Sequence, residues 1–350
     1  MKNFYNNKKI FITGNTGFKG TWLSHILMLY GAQLCGYSDK KGTLFEMCGA
    51  DIQYETIYGD IRNYELLNQS INRFKPDIVI HMAAQPLVIE GYNKPRETYE
   101  VNVMGTVNLM TSIQRSVNLG SVVNVTTDKV YKNLDKDRPY SEEDQLGGAD
   151  PYSCSKTCSE LVTESLRKSF KYDCNIATAR AGNVIAGGDF AKNRIIPDCI
   201  NAAEAGEKIF IRNPKSIRPW QHVLDPLNGY ITLAKALYEN KTTESAFNFG
   251  PELEDCISVA QLADLFCTAW GHSIKWEHIG DGSDTKSFAT FAESKMLTLD
   301  STKSKKVLNW NHKWNVWQAV EKTVEWHQDY NSKKSSTHDI CIKQIIQYNQ

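Results

Sequence analysis

The sequence predicts an α/β fold, in which a parallel sheet is covered by helices on both of its faces. Short apolar runs alternate with stretches of helical periodicity through the first half of the chain, as a parallel sheet requires. The run "PDIVIHMAA" (76–84) is almost entirely apolar, as expected of a strand that is buried on both faces. A glycine-rich segment, "TGNTGFKG" (13–20), stands between the first apolar run and the first helical stretch.

The first elements follow from local composition. "KIFIT" (9–13) is rich in apolar and β-branched residues and predicts the first strand. "WLSHILMLYG" (22–31) has apolar residues at helical spacing and ends on glycine, so it predicts the first helix. "AQLCGYS" (32–38) and the short "ETIYGD" (55–60) are predicted as the second and third strands.

The same alternation continues to about residue 185, and each apolar run is again followed by a stretch of helical periodicity. This order supports strands that all run in one direction, because parallel strands need a crossover between them. The elements expected in this part are a helix at 64–74, a strand at 76–84, a long helix at 98–116, a strand at 121–127, a helix from Tyr152 to about Phe170, and a strand at 175–184.

The glycines of the segment 13–20 are spaced as GxxGxxG, at Gly14, Gly17 and Gly20. Glycine permits the tight turn and lets backbone N–H groups approach a pyrophosphate at the N-terminus of the following helix. A strand, this turn and a helix near the start of the chain form a variant of the dinucleotide-binding fingerprint; a purely structural turn is the alternative. The sequence therefore predicts a doubly wound parallel sheet of the Rossmann type that binds a dinucleotide.

The length of 350 residues predicts two domains, at roughly 150 residues each, or one large α/β unit with an appendage. A Rossmann-type domain is expected over 1–185, with later segments near 215–250 returning to it. Residues 186–330, which are irregular in pattern and rich in tryptophan, predict a smaller, mixed C-terminal lobe that binds the substrate. The polar stretch 331–350 is predicted as a partly loose tail.

Composition and charge argue against several classes of partner. Lysine plus arginine and aspartate plus glutamate both total 40, so the net charge gives no basis for binding nucleic acid or an anionic membrane. The sequence has no run of 18 apolar residues, and its N-terminus lacks the pattern of a signal peptide. The nine cysteines form no CxxC pair, which favours reduced thiols in a cytoplasmic protein and argues against a metal site.

The contact to the cofactor's ribose is expected where the second strand ends, in "GYSDKKG" (36–42). Asp39 suits a ribose 2′-hydroxyl and favours NAD, whereas Lys40 and Lys41 would suit the 2′-phosphate of NADP. Asp60 ends the third strand, and it is either an acceptor for the adenine amine or a turn-forming residue before a helix. NAD is the preferred prediction.

The segment "PYSCSK" (151–156) places Tyr152 and Lys156 four residues apart, on one face of a predicted helix. A free tyrosine, with a pKa of about 10, is a poor base. The nearby ammonium, together with the positive charge of a nicotinamide ring, is expected to favour the phenolate. Such a tyrosine removes an alcohol's proton while the same carbon gives up a hydride. A surface pair without function is the alternative, but the glycine turn makes the catalytic interpretation stronger.

A hydroxyl, a carboxyl and an amine stand side by side at the end of the fifth strand, in "VTTDKVY" (125–131). They belong to Thr127, Asp128 and Lys129. Ligands of α/β folds bind at the carboxyl ends of the strands, so this position predicts a catalytic group. The alternative is an ion-paired Asp128 and Lys129 in an ordinary loop.

These motifs together resemble the extended short-chain dehydrogenases/reductases, which are marked by a TGxxGxxG turn and a YxxxK pair. More narrowly the chain is similar to the nucleotide-sugar 4,6-dehydratases, and within them to the branch that acts on CDP-glucose. The resemblance covers roughly residues 9 to 330, and the later stretches are the more specific ones. The matching stretches are "GNTGFKGTWLS" (14–24), "HMAAQPLV" (81–88), "NVMGT" (102–106), "TTDKVY" (126–131), "DPYSCSK" (150–156), "RAGNVIAGGDFAKNRIIPD" (180–198), "RPWQHVLDPLNGY" (218–230) and "AFNFGP" (246–251).

The resemblance implies a reaction in which C4 of a sugar is oxidised, water is eliminated across C5 and C6, and the hydride returns to C6. Tyr152 would take the proton of the 4-hydroxyl, and Thr127 would hydrogen-bond the same oxygen. Asp128, if burial keeps it protonated, would donate to the departing 6-hydroxyl. Lys129 would be the C5 base if it is neutral, or would stabilise the enolate if it is charged. A dehydratase or an epimerase acting on another nucleotide hexose, and a non-catalytic dinucleotide-binding protein, are the alternatives.

The resemblance also assigns binding residues and partners. It implies NAD, a nucleotide-sugar substrate, and a homodimer or homotetramer formed through the helices at 98–116 and 152–170. The expected substrate-binding residues are Gln85, Thr127, Asn183, Arg194, Arg218 and His222. The expected cofactor-binding residues are Gly14, Thr16, Gly17, Phe18, Lys19, Gly20, Asp39, Asp60, Ile61, Ala83, Ala84, Gln85, Asn102, Thr126, Tyr152 and Lys156.

Overall fold

The computed structural model describes residues 1–50, 53–114, 116, 118–134, 138–271, 274–279 and 296–350. The strands are β1 Lys9–Thr13, β2 Gln33–Ser38, β3 Glu55–Tyr58, β4 Ile78–His81, β5 Ser121–Val125, β6 Asn175–Ala181, β7 Val184–Ile185, β8 Ile209–Ile211, β9 Ile217–Pro219, β10 Gln221–His222, β11 Ala246–Phe249, β12 Cys256–Ser258 and β13 Trp276–His278. The α-helices are α1 Lys2–Tyr5, α2 Phe18–Leu29, α3 Thr43–Met47, α4 Tyr64–Phe74, α5 Val88–Asn93, α6 Pro95–Tyr99, α7 Gly105–Ile113, α8 Pro151–Ser169, α9 Ile195–Ala205, α10 Leu224–Tyr238, α11 Val259–Trp270, α12 Thr302–Leu308, α13 Val316–Ser332 and α14 Thr337–Asn349.

The centre of the molecule is a seven-stranded sheet in the order β3-β2-β1-β4-β5-β6-β11. Every pair of neighbouring strands in it is parallel. The strand order reverses between β1 and β4, and this switch point opens a crevice at the carboxyl ends of the strands, where ligands bind in such folds. The prediction of a doubly wound parallel sheet of the Rossmann type is confirmed.

Helices cover both faces of the sheet, and each face has its own apolar core. On one face, Trp22 of α2 and Leu227 of α10 pack against strand residues such as Ile80. On the other face, Leu67 of α4 and Leu109 of α7 pack in a second cluster of buried side chains. All residues of β4 and β5 are buried, which explains their almost uninterrupted apolar sequence.

Several boundaries differ from the expected ones for local reasons. Helix α2 begins at Phe18 rather than at residue 22, because Gly17 in extended conformation is its N-cap. The helix expected at 98–116 is a continuous run in which a π-helical turn, Glu100–Met104, joins α6 to α7. Strand β5 ends at Val125, two residues before the expected end at 127. The reason is that Thr127 is the N-cap of a short 3₁₀ helix, Asp128–Val130, which contains Asp128 and Lys129.

The C-terminal half adds a smaller mixed layer with a core of its own. Helices α9 and α11 pack in one buried cluster with the short strand β8. Strand β8 pairs with β13 in parallel, and β9 pairs with β12 in antiparallel orientation. Strand β11, by contrast, joins the central sheet next to β6, and helix α10 packs on β5 and β6.

The end of the chain is ordered, so the prediction of a loose polar tail is wrong. Helix α14 starts at an N-cap serine and buries Ile340, Cys341, Ile345 and Tyr348 in the main core. The Tyr348 hydroxyl donates to Asp225 at 2.8 Å. The polar residues between these positions hid a helical stripe of apolar side chains. No helix among the described residues combines the length and apolarity needed to span a bilayer.

Candidate active site

A cleft of about 1970 Å³ opens at the carboxyl ends of the sheet strands. Because pockets for a single small ligand measure roughly 300–1,000 Å³, this cleft has room for a dinucleotide and a second ligand. The predicted site residues that line it are Gly14, Thr16, Gly17, Phe18, Lys19, Gly20, Asp39, Asp60, Ile61, Ala83, Ala84, Gln85, Thr126, Thr127, Asp128, Lys129, Tyr152, Lys156, Asn183, Arg194 and Arg218.

The three glycines of the turn have different environments. Gly14 has a positive φ of +74°, and a Cβ there would lie 2.7 Å from the backbone nitrogen of Ala83. A Cβ on Gly20 would lie 2.2 Å from the backbone oxygen of Gly14, deep inside the turn. Gly17 is exposed, and the nearest contact of an added Cβ would be the Gly14 oxygen at 3.4 Å. The turn is therefore tightly packed on its inner side and open towards the cleft.

Helix α2 begins at this turn without a side-chain cap among the described residues. The first N–H groups of a helix have no partner within it, and they carry the positive end of the helix dipole. A pyrophosphate would satisfy these groups directly. The turn, the uncapped helix and the neighbouring cleft thus fit the diphosphate of a dinucleotide.

Two carboxylates line the cleft just after strands β2 and β3, in the half that contains the glycine turn. Asp39 follows β2 and is exposed, as a contact to a ribose requires. Asp60 is held by Arg62, whose Nε donates to both carboxylate oxygens at 2.9 and 3.0 Å. The hydrogen bonds from Arg62 keep the pKa of Asp60 below its usual value. Asp60 therefore meets the cleft as a carboxylate that already has a cationic partner.

Gln85 and Asn102 fix the loop that follows β4. The Gln85 side chain donates to Thr98 at 2.9 Å and accepts from the Leu87 N–H at 2.6 Å. Asn102 accepts from the Gln85 N–H at 2.8 Å, and donates to the Gln85 carbonyl at 3.1 Å and to Ser155 at 2.8 Å. Asn102 is buried and does not line the cleft, so its expected cofactor contact is replaced by support of the loop and of α8.

Lys156 lies on α8 below the cleft. Its Nζ donates to the backbone oxygen of Val125, at the end of β5, at 2.9 Å. Burial lowers the pKa of Lys156 to about 8, and the carboxylate of Glu160 acts in the opposite direction. Glu160 accepts from Thr126 and pairs with buried Arg180 at 2.9 Å. The lysine is thus held by the strand end and by a carboxylate that belongs to a buried ion pair.

Tyr152 lies on the same helix, and only 9% of it is exposed. Burial raises its pKa to about 12, a hydrogen bond with Thr127 lowers it, and the nearby Asp128 raises it again. In the protein by itself, burial therefore keeps the phenol protonated. The expectation that the lysine and a nicotinamide ring together favour the phenolate stays a prediction for the complex with the cofactor.

Asp128 is almost fully buried and has one free oxygen. Its Oδ1 accepts from the Thr127 hydroxyl at 2.9 Å. Its Oδ2 has no hydrogen-bond partner among the described residues, and an added Cβ at Gly182 would lie 3.4 Å from it. Lys129, next in the chain, is half-buried at the cleft and forms no ion pair with Asp128 within the described structure. A buried unpartnered oxygen is costly, and this one belongs to a residue that lines the cleft.

Cationic side chains surround the other half of the cleft. Arg194, at the start of α9, donates to Asp189 at 2.9 Å. Arg218, on β9, is buried and donates to the carbonyl of Ile217 at 2.7 Å. Asn183 lies beside them, just before β7. Arginine suits phosphate groups because its planar fork forms paired hydrogen bonds.

His222 is the predicted substrate residue that the structure places elsewhere. It is fully buried and does not line the cleft. The centroid of its ring lies 4.7 Å from that of Trp314 and 6.1 Å from that of Trp22. Burial lowers its pKa to about 3, so the ring is a neutral packing group. Its assignment to substrate binding is wrong, because the side chain on β10 points into the core.

Three residues of the site were missed. Asp189 holds Arg194, Glu160 faces Lys156, and Arg212 lines the cleft directly after β8. Arg212 had a signal, a charged residue just after a short apolar run, whereas the other two act only through their partners.

The comparisons with known proteins agree with this geometry. A family model described as GDP-mannose 4,6 dehydratase matches residues 11–323. The chain belongs to this family. The predicted membership among nucleotide-sugar 4,6-dehydratases is thereby confirmed. The chain is 44% identical over 338 residues to the CDP-glucose 4,6-dehydratase of Salmonella typhimurium. The matched region covers 93% of this chain and 92% of the relative.

More distant relatives of the family share the fold. The chain is 23% identical to CDP-paratose 2-epimerase of Salmonella typhi, over 91% of this chain and 98% of the relative. The dTDP-glucose 4,6-dehydratase of Bacillus anthracis, solved in complex with NAD, superposes with a TM-score of 0.77 at 21% identity, covering 93% and 98% of the two chains. The UDP-glucose 4-epimerase of Thermotoga maritima superposes with a TM-score of 0.80 at 19% identity, covering 92% and 99%. The fold is thus common to dehydratases and epimerases.

Proposed function

We propose that this protein is a CDP-glucose 4,6-dehydratase, a hydro-lyase that converts CDP-glucose to CDP-4-keto-6-deoxyglucose and water. The observation that carries the proposal is the free, buried Oδ2 of Asp128 beside Tyr152 and Thr127. An epimerase needs no proton donor for a departing hydroxyl, whereas a dehydratase does. The choice of CDP-glucose is supported by the 44% identity to the Salmonella enzyme.

The residues of the glycine turn fit NAD as the cofactor. The N-terminus of α2 would hold its pyrophosphate, Asp39 its adenosine ribose, and Asp60 its adenine. Loop residues Ala83 and Ala84 would line its path towards Tyr152. NAD, when bound, supplies a hydride acceptor for C4 of the sugar and returns the hydride at C6.

Tyr152 is the base for the 4-hydroxyl in this proposal. Its pKa of about 12 in the protein alone means that the phenol keeps its proton until a positive charge is bound nearby. Thr127, which hydrogen-bonds the phenol, would hold the 4-oxygen of the sugar at the same point. The charged Lys156 stabilises the phenolate as the proton leaves.

Asp128 and Lys129 would carry out the elimination. The 4-ketone acidifies the hydrogen on C5, and Lys129 either removes this proton as a neutral amine or stabilises the enolate as an ammonium. Asp128, in its carboxylic acid form, would donate a proton from Oδ2 to the 6-hydroxyl, which departs as water. The Thr127 hydroxyl, which occupies Oδ1, leaves Oδ2 as the acidic oxygen. A proton returns to C5 when the hydride reaches C6, which completes the 4-keto-6-deoxy product.

The anionic half of the substrate would lie among Arg194, Arg218 and Asn183. The two guanidinium groups suit the diphosphate of a nucleotide sugar, and Asn183 adds a polar contact at the end of the sheet. Arg194 is oriented by Asp189, which limits the freedom it must lose on binding. Gln85, whose side chain is satisfied within its own loop, acts by shaping the cleft in this proposal.

A dimer is the smallest assembly in this proposal. Tyr99, Met104 and Leu161 are between 36% and 54% exposed. They belong to the helical run from α6 to α7 and to α8, which pack against each other. Pairing of these helices with the same helices of a second copy would cover the exposed apolar side chains. The free cysteines, which include buried Cys35 and Cys199, support a reducing compartment such as the cytoplasm.

The experiment that tests the function offers the purified protein a panel of nucleotide hexoses and weighs the products by mass spectrometry. NAD is supplied, and the panel includes CDP-, UDP-, GDP- and dTDP-linked glucose or mannose. Loss of one water from CDP-glucose is the expected result. Water loss from another nucleotide sugar alone would reassign the substrate, and mass-neutral isomerisation would replace the dehydratase with an epimerase.

A further inference from the structure

Two cysteines that are far apart in the sequence meet where the C-terminal helix packs on the first helices of the chain. Cys48 is the C-cap of α3, and Cys341 lies on α14. Both belong to the main core, and 5% and 1% of them are exposed. Neither lines the cleft, so this pair is separate from the candidate active site.

Contacts made by neighbouring residues bring the two cysteines together. The Gln53 amide nitrogen donates to the carbonyl of Cys48 at 3.4 Å, and it also lies 3.4 Å from Nδ1 of His338 on α14. The ring centroid of His338 lies 4.9 Å from that of His25 on α2. His338 and Cys341 are three residues apart, so they share a face of α14. This face carries Cys341 against Cys48, and the two thiols are in side-chain contact.

The pair combines one reactive thiol with one protected thiol. The hydrogen bond from Cys341 lowers the pKa of Cys48, and contact with His25 acts in the same direction, against the effect of burial. Burial raises the pKa of Cys341, whose sulfur accepts a hydrogen bond from the Trp326 indole at 3.3 Å. Because the thiolate is the nucleophilic form of cysteine, Cys48 is the thiol that reacts first.

His25 supplies a base next to this thiol. Its Nδ1 lies 2.7 Å from the carbonyl oxygen of Thr21, which can only accept, so Nδ1 carries the hydrogen. The neutral ring therefore has a bare Nε2, which is buried and has no hydrogen-bond partner in the described part of the chain. A metal ion does not explain this cluster, since the described residues contain no group of three ligating side chains that could hold one.

We propose that Cys48 and Cys341 form a reversible disulfide in response to hydrogen peroxide, and that this bond fixes α14 covalently to α3. The Cys48 thiolate attacks one oxygen of the peroxide and the O–O bond breaks, which leaves a sulfenic acid on Cys48. The released hydroxide takes up the thiol proton held by His25 and becomes water. The Cys341 sulfur then attacks the Cys48 sulfur, the S–O bond breaks, and hydroxide leaves with the Cys341 proton as a second water.

The reaction balances without any other reagent, because two thiols give two electrons and two protons to one peroxide. In a reducing compartment such a disulfide is transient, as redox-sensing disulfides are. Helix α14 packs on α2 and α3, so the bond would join the end of the chain to its beginning. A cross-link that closes so long a loop restricts the unfolded chain and is expected to stabilise the fold.

The test treats the reduced, full-length protein with a few equivalents of hydrogen peroxide. Remaining thiols are then alkylated under denaturing conditions, and the peptides are mapped by mass spectrometry. The expected result is a cross-linked pair of peptides that contains Cys48 and Cys341 and disappears after treatment with dithiothreitol. The oxidised protein should also have a Tm about 5 °C higher than the reduced protein.

Recovery of Cys48 and Cys341 as free thiols, or as higher oxides without a cross-link, would overturn the proposal. A cross-link found only between other cysteines would overturn it as well. This mapping uses the wild type, so it decides the question even where a substitution in the core unfolds the protein.

Two variants separate the steps of the reaction. Cys341→Ala leaves the sulfenic acid of Cys48 without a partner, so dimedone should label Cys48 after peroxide treatment. Cys48→Ala should leave Cys341 unlabelled and abolish the shift in Tm. Labelling of Cys341 in Cys48→Ala, at the level seen for Cys48 in the other variant, would contradict the assignment of Cys48 as the reacting thiol.

Cys158→Ser is the matched control, because Cys154 and Cys158 form another neighbouring pair of thiols, on α8. This variant should give the same yield of the cross-link between Cys48 and Cys341, and the same shift in Tm, as the wild type. Loss of the shift in Cys158→Ser would assign the effect of peroxide to the pair on α8 and overturn the proposal.

Discussion

The two halves of the cleft are built in different ways. The cofactor half is made mostly of backbone from one continuous segment, in which Gly14 and Gly20 leave no room for a side chain. The substrate half is assembled from side chains of distant segments, among them Asp128, Tyr152 and Arg194. The cofactor half depends on positions that carry no side chain, whereas the substrate half depends on the charge and protonation of particular side chains. Substitutions are therefore expected to affect folding and NAD binding in the cofactor half, and catalysis in the substrate half.

The largest effect is expected from an added carbon in the cofactor half. Gly20→Ala would place a Cβ 2.2 Å from the Gly14 oxygen and 2.7 Å from the backbone of Asn15, so the turn must open. We expect a loss of about 3 kcal/mol or more in the free energy of unfolding, at the upper end of overpacking effects, together with loss of NAD binding. Denaturant unfolding and NAD titration measure both.

Gly17→Ala is the control, since its Cβ would meet its nearest atom at 3.4 Å. It should unfold within about 1 kcal/mol of the wild type. Equal stability of the two variants would show that the inner side of the turn is not as tight as described.

A smaller but purely chemical effect is expected in the substrate half. Asp128→Asn keeps the shape and removes the acidic proton that Oδ2 would give to the 6-hydroxyl. We expect kcat to fall about 10²- to 10⁴-fold, the usual contribution of a general acid, while the affinity for NAD stays unchanged. Steady-state kinetics with CDP-glucose measure the fall. A variant with more than a tenth of the wild-type kcat would remove Asp128 from the mechanism.

The ammonium of Lys19, on the glycine-turn segment, should cost stability because burial disfavours its charge. The pKa of Lys19 is about 8 in the folded protein and about 10.4 in an unfolded chain, so the unfolded state binds more protons between these values. The contribution of Lys19 to the free energy of unfolding should therefore rise with pH from about 8 to about 10.4. Lys19→Met should be more stable than the wild type at pH 7 by about 1 to 3 kcal/mol, and the advantage should shrink as pH rises. Thermal unfolding of both proteins from pH 7 to 10 measures this; a pH-independent difference would contradict it.

The smallest effect is expected at Asp39, a charged residue of the cofactor half that stands in solvent. Asp39→Asn removes the charge of an exposed acceptor for the ribose 2′-hydroxyl. We expect NAD affinity to fall about five- to tenfold, and affinity for NADP to rise or stay level because a repulsive charge is gone. Fluorescence titration of the variant and the wild type with NAD and with NADP measures both affinities. A stronger loss for NADP than for NAD would assign Asp39 another role.

The same contrast explains what the sequence could reveal. The glycine turn was predictable because its three glycines follow the first strand and lead directly into the first helix. Their spacing is typical of a turn that binds a dinucleotide. Thr127, Asp128 and Tyr152 were predictable because they follow a strand end or share a helix face. Glu160 and Asp189 are close in sequence to Lys156 and Arg194, but they were missed because the sequence does not show that these carboxylates are buried against those cations.

The errors have physical causes as well. His222 stands in a stretch that resembles the family, but a short strand does not reveal which side chain faces the core. The position of Tyr152 on its helix did not show that burial raises the pKa of the phenol in the protein by itself. Helix α14 was overlooked because its apolar stripe is interrupted by polar residues at every turn.

The most direct test of the account follows a single hydrogen through the reaction. The central claim is that the two halves hold a hydride acceptor and an acid against the same sugar. CDP-glucose carrying deuterium at C4 would be turned over to completion, and the product analysed by NMR. The account predicts that the deuterium reappears at C6 of the 4-keto-6-deoxy product. Deuterium that is lost to water, or that stays at C4, would contradict it.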